Sequence, residues 1–477
     1  MATERRRLHA LWTAASALLL GGCLTSSIAG DIADVRSRTQ IPLVPMVAGM
    51  AVDADSDDDA RILLREPLDA DTAVRVAVLN NRALRAELRE LGIARGRLIQ
   101  ARQVNNPVFE VESLPERNTA LEMRVEYDLT SLVLAPLRAK AAAADLAAER
   151  FDAAGAVVQL GYDVRLAFHA LQSAMQRLAI AQRALDAFAA SRDAAAALLE
   201  AGSVSALDAS SQIAAYEKAR VTVAKLELEV ADRREALQRL LGLHGEDTAW
   251  TIRAELPPVP AALPHSDRPE SRALQASHDL AAMRSRLEAI ARRTKLSRTE
   301  GWLPDIEVDM HTLYGNPEAV PGMTPEGPWR FGGGVSLSVP LFDRKRGTIR
   351  AQEAEFDALM ERYHGLAIEV RSAARELHNR VVSAHARARQ FDGVILLAQR
   401  RVVDETQLQY NAMQLGIFQL LQARRDQLEV ELAYVETLRE FWDAHAARDA
   451  LLAGRRVAPS TTTTATMSAG AEPAGGH

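Results

Sequence analysis

Few side chains in this 477-residue chain could do chemistry, and the first of them is a cysteine. Cys23 is the single cysteine, so no internal disulfide can form and no thiolate pair can hold a metal. It closes the run Leu20-Gly21-Gly22-Cys23, behind the basic start Arg5-Arg6-Arg7 and an apolar stretch from Ala10 to Leu20 too short to span a bilayer. That order reads as a signal peptide ending in a lipobox, with lipid on the Cys23 thiol. Leu24 rather than an aspartate follows, as in lipoproteins sorted to an outer membrane. Nothing catalytic accompanies it. No nucleophile has an arranged base, and no Cys or His pair stands at metal-ligand spacing. Gly332-Gly333-Gly334 opens a strand pattern rather than a helix, which suits close packing in a barrel and not a phosphate cradle. Met310-His311 and Met323 could touch soft metals, but they are scattered and define no metal site. The expectation is a protein that is not an enzyme and needs no cofactor.

The chemistry left is electrostatic, carried by carboxylates at alternate positions. Leu121 to Leu129 alternates apolar and polar residues, setting Glu122, Glu126 and Asp128 with Arg124 on one side. Ile306 to His311 does the same with Glu307 and Asp309, and Val335 to Val339 follows. Strands of this kind suit a barrel with lipid outside and an acidic, water-filled lumen that favours cations. Trp302, Tyr314, Trp329, Phe331 and Phe342 stand at the ends of the second strand pair, as an interfacial girdle would. No other stretch is apolar for the ~20 residues of a membrane helix, so any crossing must use strands. The net charge of -6 and the lack of a basic tract exclude nucleic acid as a partner.

Long helices must carry these strands. Aromatics are 5% of the chain while alanine is abundant, a balance suited to closely packed helices. From Pro136 to Ala201 the apolar positions from Leu160 to Phe188 step four and three, the spacing of a coiled-coil seam. A counterpart from Gly347 to Leu415 runs through Val370, Ala373, Leu377, Val381, Ala384, Ala388, Phe391, Ile395, Ala398 and Val402, with a break in the heptad between Leu377 and Val381. At 1.5 Å per residue each helix would reach ~100 Å, which suits a tube and not a compact domain. The chain divides into a signal peptide (1–22), a lipid-anchored loose linker (23–65), a first repeat (66–255), a Pro-rich linker (256–268), a second repeat (269–454) and a disordered tail (455–477). Glu200-Ala201-Gly202 corresponds to Gln414-Leu415-Gly416, and the second strand pair carries an extra loop, Gly315 to Pro328. Four strands cannot close alone, and open edges in lipid cost several kcal/mol per unpaired group. Other copies of the chain must complete the sheet.

This plan resembles the TolC-type outer-membrane efflux factors over about residues 66–453. The matching motifs are the lipobox at Cys23, Pro340-Leu341-Phe342-Asp343 before the long second helix, and Gly202-Ser203-Val204-Ser205-Ala206-Leu207-Asp208 at the first helical hairpin. The resemblance implies a mainly α fold with β strands: a homotrimer whose twelve-stranded transmembrane barrel continues into a periplasmic α-helical barrel. It places the protein in the outer membrane of a Gram-negative bacterium, docked to a periplasmic adaptor and an inner-membrane RND pump. Gly202, Ser205, Leu207, Asp208 and Gly416 would then lie on adaptor-docking tips. The residues themselves predict a left-handed Gly202 and a capping box from Ser205 to Asp208. The second tip departs from the pattern, with Gln419 and Gln422 where Ser and Asp are expected. Family members close the periplasmic end with an acidic ring on the second long helix. Asp404, about 18 Å before Gly416, is the first candidate for it and Glu405 the second. Pro340 to Gly347 also resembles the heavy-metal, cobalt-zinc-cadmium branch, which implies metal cations as cargo. A drug duct would share the architecture, whereas a lipid-anchored periplasmic scaffold or adaptor would lack the repeated strand pairs.

Overall fold

The computed structural model describes residues 28–39, 60–114, 120–263, 268–314 and 329–457. The lipobox with Cys23, the loop 315–328 and the tail beyond Val457 lie outside them. After α1 (Ala29–Arg38), the first repeat runs α2 (Ala70–Asn80), α3 (Arg82–Arg102), β1 (Val108–Leu114), β2 (Ala120–Asp128), α4 (Leu129–Glu200) and α5 (Ala206–Leu241). The second repeat runs α6 (Pro269–Ala276), α7 (His278–Glu300), β3 (Asp305–Tyr314), β4 (Trp329–Ser338), α8 (Arg346–Gln390), α9 (Leu396–Asn411) and α10 (Ile417–Leu452). The strands form one antiparallel sheet in the order β1-β2-β3-β4, so each repeat contributes one hairpin. Among the described residues no helix is long and apolar enough to cross a membrane.

Both long helices differ from the sequence expectation at identifiable points. α4 starts before Pro136, because the Asp128 carboxylate caps it by accepting from the Ser131 amide at 3.0 Å. Pro136 sits two turns in on the exposed side, where water can serve the carbonyl that loses its partner. In the second repeat the helix is irregular at a π-turn, Phe391–Ile395, and not at Leu377 to Val381. A π-turn adds one residue to the helix, so the buried stripe shifts by one position. Val370, Ala374, Leu377, Val381, Ala384 and Ala388 are buried above it, then Leu396 and Val403 below it. The expected seam residues Ala398 and Val402 are therefore exposed.

Each repeat is fastened by the same junction. Asn81 separates α2 from α3 and its Oδ1 accepts from the Leu84 amide at 2.9 Å; Ser277 separates α6 from α7 and its Oγ accepts from the Leu280 amide at 3.2 Å. Onto each break docks a glycine that ends the repeat's last helix. Gly242 (φ +70) lies so close that a Cβ would stand 2.6 Å from the Asn80 carbonyl oxygen. Gly454 (φ +107) would place one 2.5 Å from that of Ala276. The Asn81 side-chain Nδ2 donates to the Leu240 carbonyl at 2.9 Å, and the His278 backbone amide to that of Gly454 at 2.8 Å. Three apolar cores lie around this level, one within the first repeat and two joining α4 to the second.

The chain's connecting segments are held down more than their composition suggests. Within the stretch expected to be a loose linker, α1 buries Val35 and Asp31. Asp31 receives a two-pronged contact from Arg95 of α3 at 2.6 and 2.8 Å and is also paired with Arg150 of α4. Burial alone would raise the Asp31 pKa, but the hydrogen bonds from Arg95 and Arg150 and their charges outweigh it and hold it below the usual aspartate value. At the other end, Arg455 to Val457 belongs to the fold rather than to the tail: Arg455 pairs with Asp279 at 2.5 Å and Val457 is buried. The Pro-rich segment packs Leu256 and Val259 against Val381 and Phe441, and its Pro257 carbonyl accepts from the Trp442 indole at 2.8 Å.

Candidate functional site

Strand register sorts the sheet into two chemically opposite faces. Residues that pair across strands share a face, so Phe109, Met123, Val125, Val308, Met310, Phe331, Val335 and Leu337 all lie on one side. That side is open: Phe109 is 71%, Met310 69%, Phe331 83% and Val335 70% exposed. A continuous exposed apolar face of this kind marks contact with lipid or another apolar surface. Tyr314 and Trp329 pair at the loop end of the second hairpin, ring centroids 4.7 Å apart, while Trp302 and Phe342 stand exposed beyond its other end. Aromatics thus bracket the apolar face as expected.

The opposite face is polar and mainly acidic. Glu122, Glu126, Glu307 and Asp309 lie on it, with Glu126 directly opposite Asp309 and Arg124 opposite His311. Asp128 shares the face, but its carboxylate is engaged as the cap of α4 and by the Asn105 amide at 3.0 Å. Sequence reasoning missed Glu110 and Glu112, which β1 adds to the same face. Adjacent Val108 and Phe109 hide their alternation, and only the pairing with β2 reveals it. Arg124 is paired with Glu122 at 3.0 Å, and His311 Nδ1 lies 3.0 Å from an Asp309 oxygen. Met310 and His311 point to opposite faces, so they cannot serve one metal ion. Met323 lies outside the described residues. Among those described, no group of three His, Cys, Asp or Glu side chains could hold a metal.

The helical tips share a backbone but not a sequence. Gly202 is left-handed at φ +71, its amide bonds to the Leu199 carbonyl and that of Ser203 to Leu198, the closing pattern of a helix end. Ser205 and Asp208 form the capping box, with the Asp208 amide 3.1 Å from Ser205 Oγ and the Asp208 carboxylate accepting from the Ser205 amide at 3.3 Å. In the second tip the left-handed residue is Met413 (φ +58), whose amide bonds to the Tyr410 carbonyl while that of Gln414 bonds to Gln409. The structural counterpart of Gly202 is thus Met413, not Gly416. Gly416 occupies the cap position of Ser205 with ordinary φ of -77, and Gln419 that of Asp208. The expected match of Glu200-Ala201-Gly202 with Gln414-Leu415-Gly416 was drawn through glycine, and cap geometry overrides it. Leu207 and Met413 are exposed at 79% and 94%, so each tip presents an apolar side chain.

Asp404 and Glu405 lie side by side on α9 on either edge of no ion pair: both are exposed and neither is bridged to another described residue. Their neighbour Val403 is buried, so the buried stripe of α9 passes beside the two carboxylates and leaves them on the exposed side. A further cavity of about 590 Å³ between α4, α5 and α10 is lined by several ion pairs. Arg177 holds Glu229 at 3.1 Å and Arg439 holds Asp443 at 3.0 Å.

Long paired helices thus carry a four-stranded sheet with one apolar face, one acidic face and two open edges. Residues 270–454 match the family model described as outer membrane efflux protein, the kind of protein the sequence resembles. The cobalt-zinc-cadmium resistance protein CzcC of Cupriavidus metallidurans is 25% identical over 403 residues, covering 81% of this chain and 90% of that protein. Two solved structures share the fold. The outer-membrane channel OprN superposes with a TM-score of 0.68 at 20% identity, covering 87% of this chain and 98% of that one. The outer membrane protein VceC from Vibrio cholerae gives 0.65 at 17% identity, with 81% and 96% covered.

Proposed function

We propose that this chain is the passive outer-membrane duct of a tripartite, RND-type efflux system and that its cargo is metal cations. The observation that carries this reading is the two-faced, four-stranded sheet with both edges open. Only closure with further copies satisfies those edges in lipid, and three copies make an even-numbered barrel of twelve strands. The acidic face then lines the lumen, and the long helices continue the tube into the periplasm. Cys23 anchors each copy to the outer membrane. The tips at Gly202, Ser205, Leu207 and Asp208, and at Gly416 with Met413, meet a periplasmic adaptor that couples the duct to an inner-membrane pump. Asp404, with Glu405 beside it, forms the periplasmic gate, where three converging carboxylates attract cations and repel one another. The likeness to a cobalt-zinc-cadmium resistance protein and the acidic lumen favour metal cations over organic molecules as cargo.

The test is the mass and heat-modifiability of the detergent-extracted protein together with single-channel conductance in planar bilayers. A trimer with cation-preferring pores, whose closed state is relieved by Asp404→Ala, is the expected result. A monomer or dimer that never conducts overturns the barrel and leaves a lipid-anchored periplasmic scaffold. Cargo is read separately, from periplasmic cobalt, zinc and cadmium retained when the protein is deleted.

A further inference from the structure

The glycine run Gly332-Gly333-Gly334 acquires a reason once the register is known. Gly332 pairs with His311 and Gly334 with Asp309, so both glycines lie on the polar face beneath those two side chains. A Cβ at residue 332 would stand 2.3 Å from His311 Nε2, and one at residue 334 would stand 2.4 Å from Asp309 Oδ1. A side chain at either residue would push the imidazole or the carboxylate from its place. The glycines are therefore a floor on which the imidazole and the carboxylate lie flat across β4, held together by the 3.0 Å contact at Nδ1. Glycine weakens a strand interior and exposes its backbone, so three in a row need such a compensating contact. His311 is also the one histidine on the polar face of the described sheet.

We propose that His311, laid across Gly332 and tethered by Asp309, is the residue that sets how strongly the lumen prefers cations as pH changes. The inference rests on the barrel reading above and deepens it. Imidazole is the side chain whose charge changes between pH 5 and 8. The charged groups facing it are Glu122, Arg124 and Glu126 on β2, Asp309 and Glu307 on its own strand, Arg330 on β4, and Glu110 and Glu112 one strand further away. Protonation adds one positive charge per chain to a face on which carboxylates outnumber arginines. The face becomes less acidic, and entry of cations becomes less favourable. A unit charge about 7 Å from a passing ion in water changes its local concentration roughly threefold.

The experiment is the reversal potential of the reconstituted protein under a potassium chloride gradient, from pH 8 to pH 5. The wild type is expected to lose cation preference by about threefold on acidification. His311→Gln is expected to hold the preference seen at pH 8 throughout, and Gly332→Ala, which forces the imidazole off the strand, to shift the midpoint of the change. A His311→Gln pore that keeps the full pH response overturns the assignment while leaving the barrel intact. A wild-type protein that never conducts overturns the barrel reading, and this inference with it. Unit conductance of each variant at pH 8, close to that of the wild type, shows that the substitution has left the pore assembled.

Discussion

At the junction of the first repeat the Asn80 carbonyl occupies the space a Cβ on residue 242 would need, and at the second the Ala276 carbonyl does the same for residue 454. At the tips the two repeats again share hydrogen bonds, yet Gly202, Ser205 and Asp208 face Met413, Gly416 and Gln419. The difference follows from what each place demands. A junction brings two backbones into contact, and only glycine fits there whatever else changes. A tip asks for a left-handed residue and a cap at the surface, where a non-glycine residue in that conformation costs of order 1–3 kcal/mol and can be tolerated. Packing enforces glycine at the junctions, and solvent tolerates other residues at the tips.

The largest effects should accordingly come from the junctions. Gly242→Ala and Gly454→Ala each add a left-handed strain to a collision with backbone that cannot move aside, a loss of about 2–4 kcal/mol. Thermal unfolding of the two variants should show similar drops in Tm. Gly416→Ala should change Tm little, because at its ordinary φ a Cβ meets only the flexible end of Gln419. An equally large fall at Gly416 would mean that the second tip is as tightly built as a junction.

A second contrast sits at the chain ends. Asp31 ties α1 to the first repeat through Arg95 and Arg150, and Arg455 ties the C-terminal segment to the second through Asp279. Asp31 is fully buried, and Asp31→Ala leaves Arg95 without its partner and Arg150 with only Asp34 at 3.8 Å, at a cost of about 2–3 kcal/mol. Because the folded pKa of Asp31 is lowered, its contribution is complete above the ordinary aspartate value and is lost as pH falls through the folded one. Limited proteolysis should therefore find α1 docked at neutral pH and released only in strong acid, and released at neutral pH in the variant. Release of α1 from the wild type near pH 5 would contradict this.

How much of this was legible beforehand varies with the range of the interaction. The two-faced strands, the capping box at Ser205 and the duplicated order rest on local periodicity and short spacing, and the sequence carries them openly. Glu110 and Glu112 needed a partner strand to show which side they face. The shift in the α9 stripe needed the π-turn at Phe391–Ile395, which no heptad count reveals because the inserted residue is not marked in the sequence. Helix α1 is ten residues long and would be marginal alone, so its existence depends on arginines far along the chain. Gly416 misled for the opposite reason: glycine is the usual left-handed residue, and a methionine in that role has no sequence signature.

The smallest effects lie at the tips, and there they should run in opposite directions. Ser205→Ala removes the half of the capping box in which the hydroxyl accepts from the Asp208 amide and should cost about 1 kcal/mol. Met413→Gly relieves a left-handed methionine and should gain roughly that much in the folded state, part of it returned as entropy of the unfolded chain. Gly416→Ser supplies the cap oxygen that the second tip lacks, and since glycine is itself a fair cap residue the gain is only a few tenths of a kcal/mol. Changes of this size are lost in a global melt, so amide hydrogen exchange at the two hairpins is the measurement to make. Faster exchange around Ala206 to Ala209 in Ser205→Ala, with slower exchange around Ile417 to Leu420 in Gly416→Ser, would show that the tips differ only in capping. If Gly416→Ser instead speeds exchange, the Gln419 side chain lying against Gly416 must be part of the cap, and the second tip has found its own solution rather than lost the first.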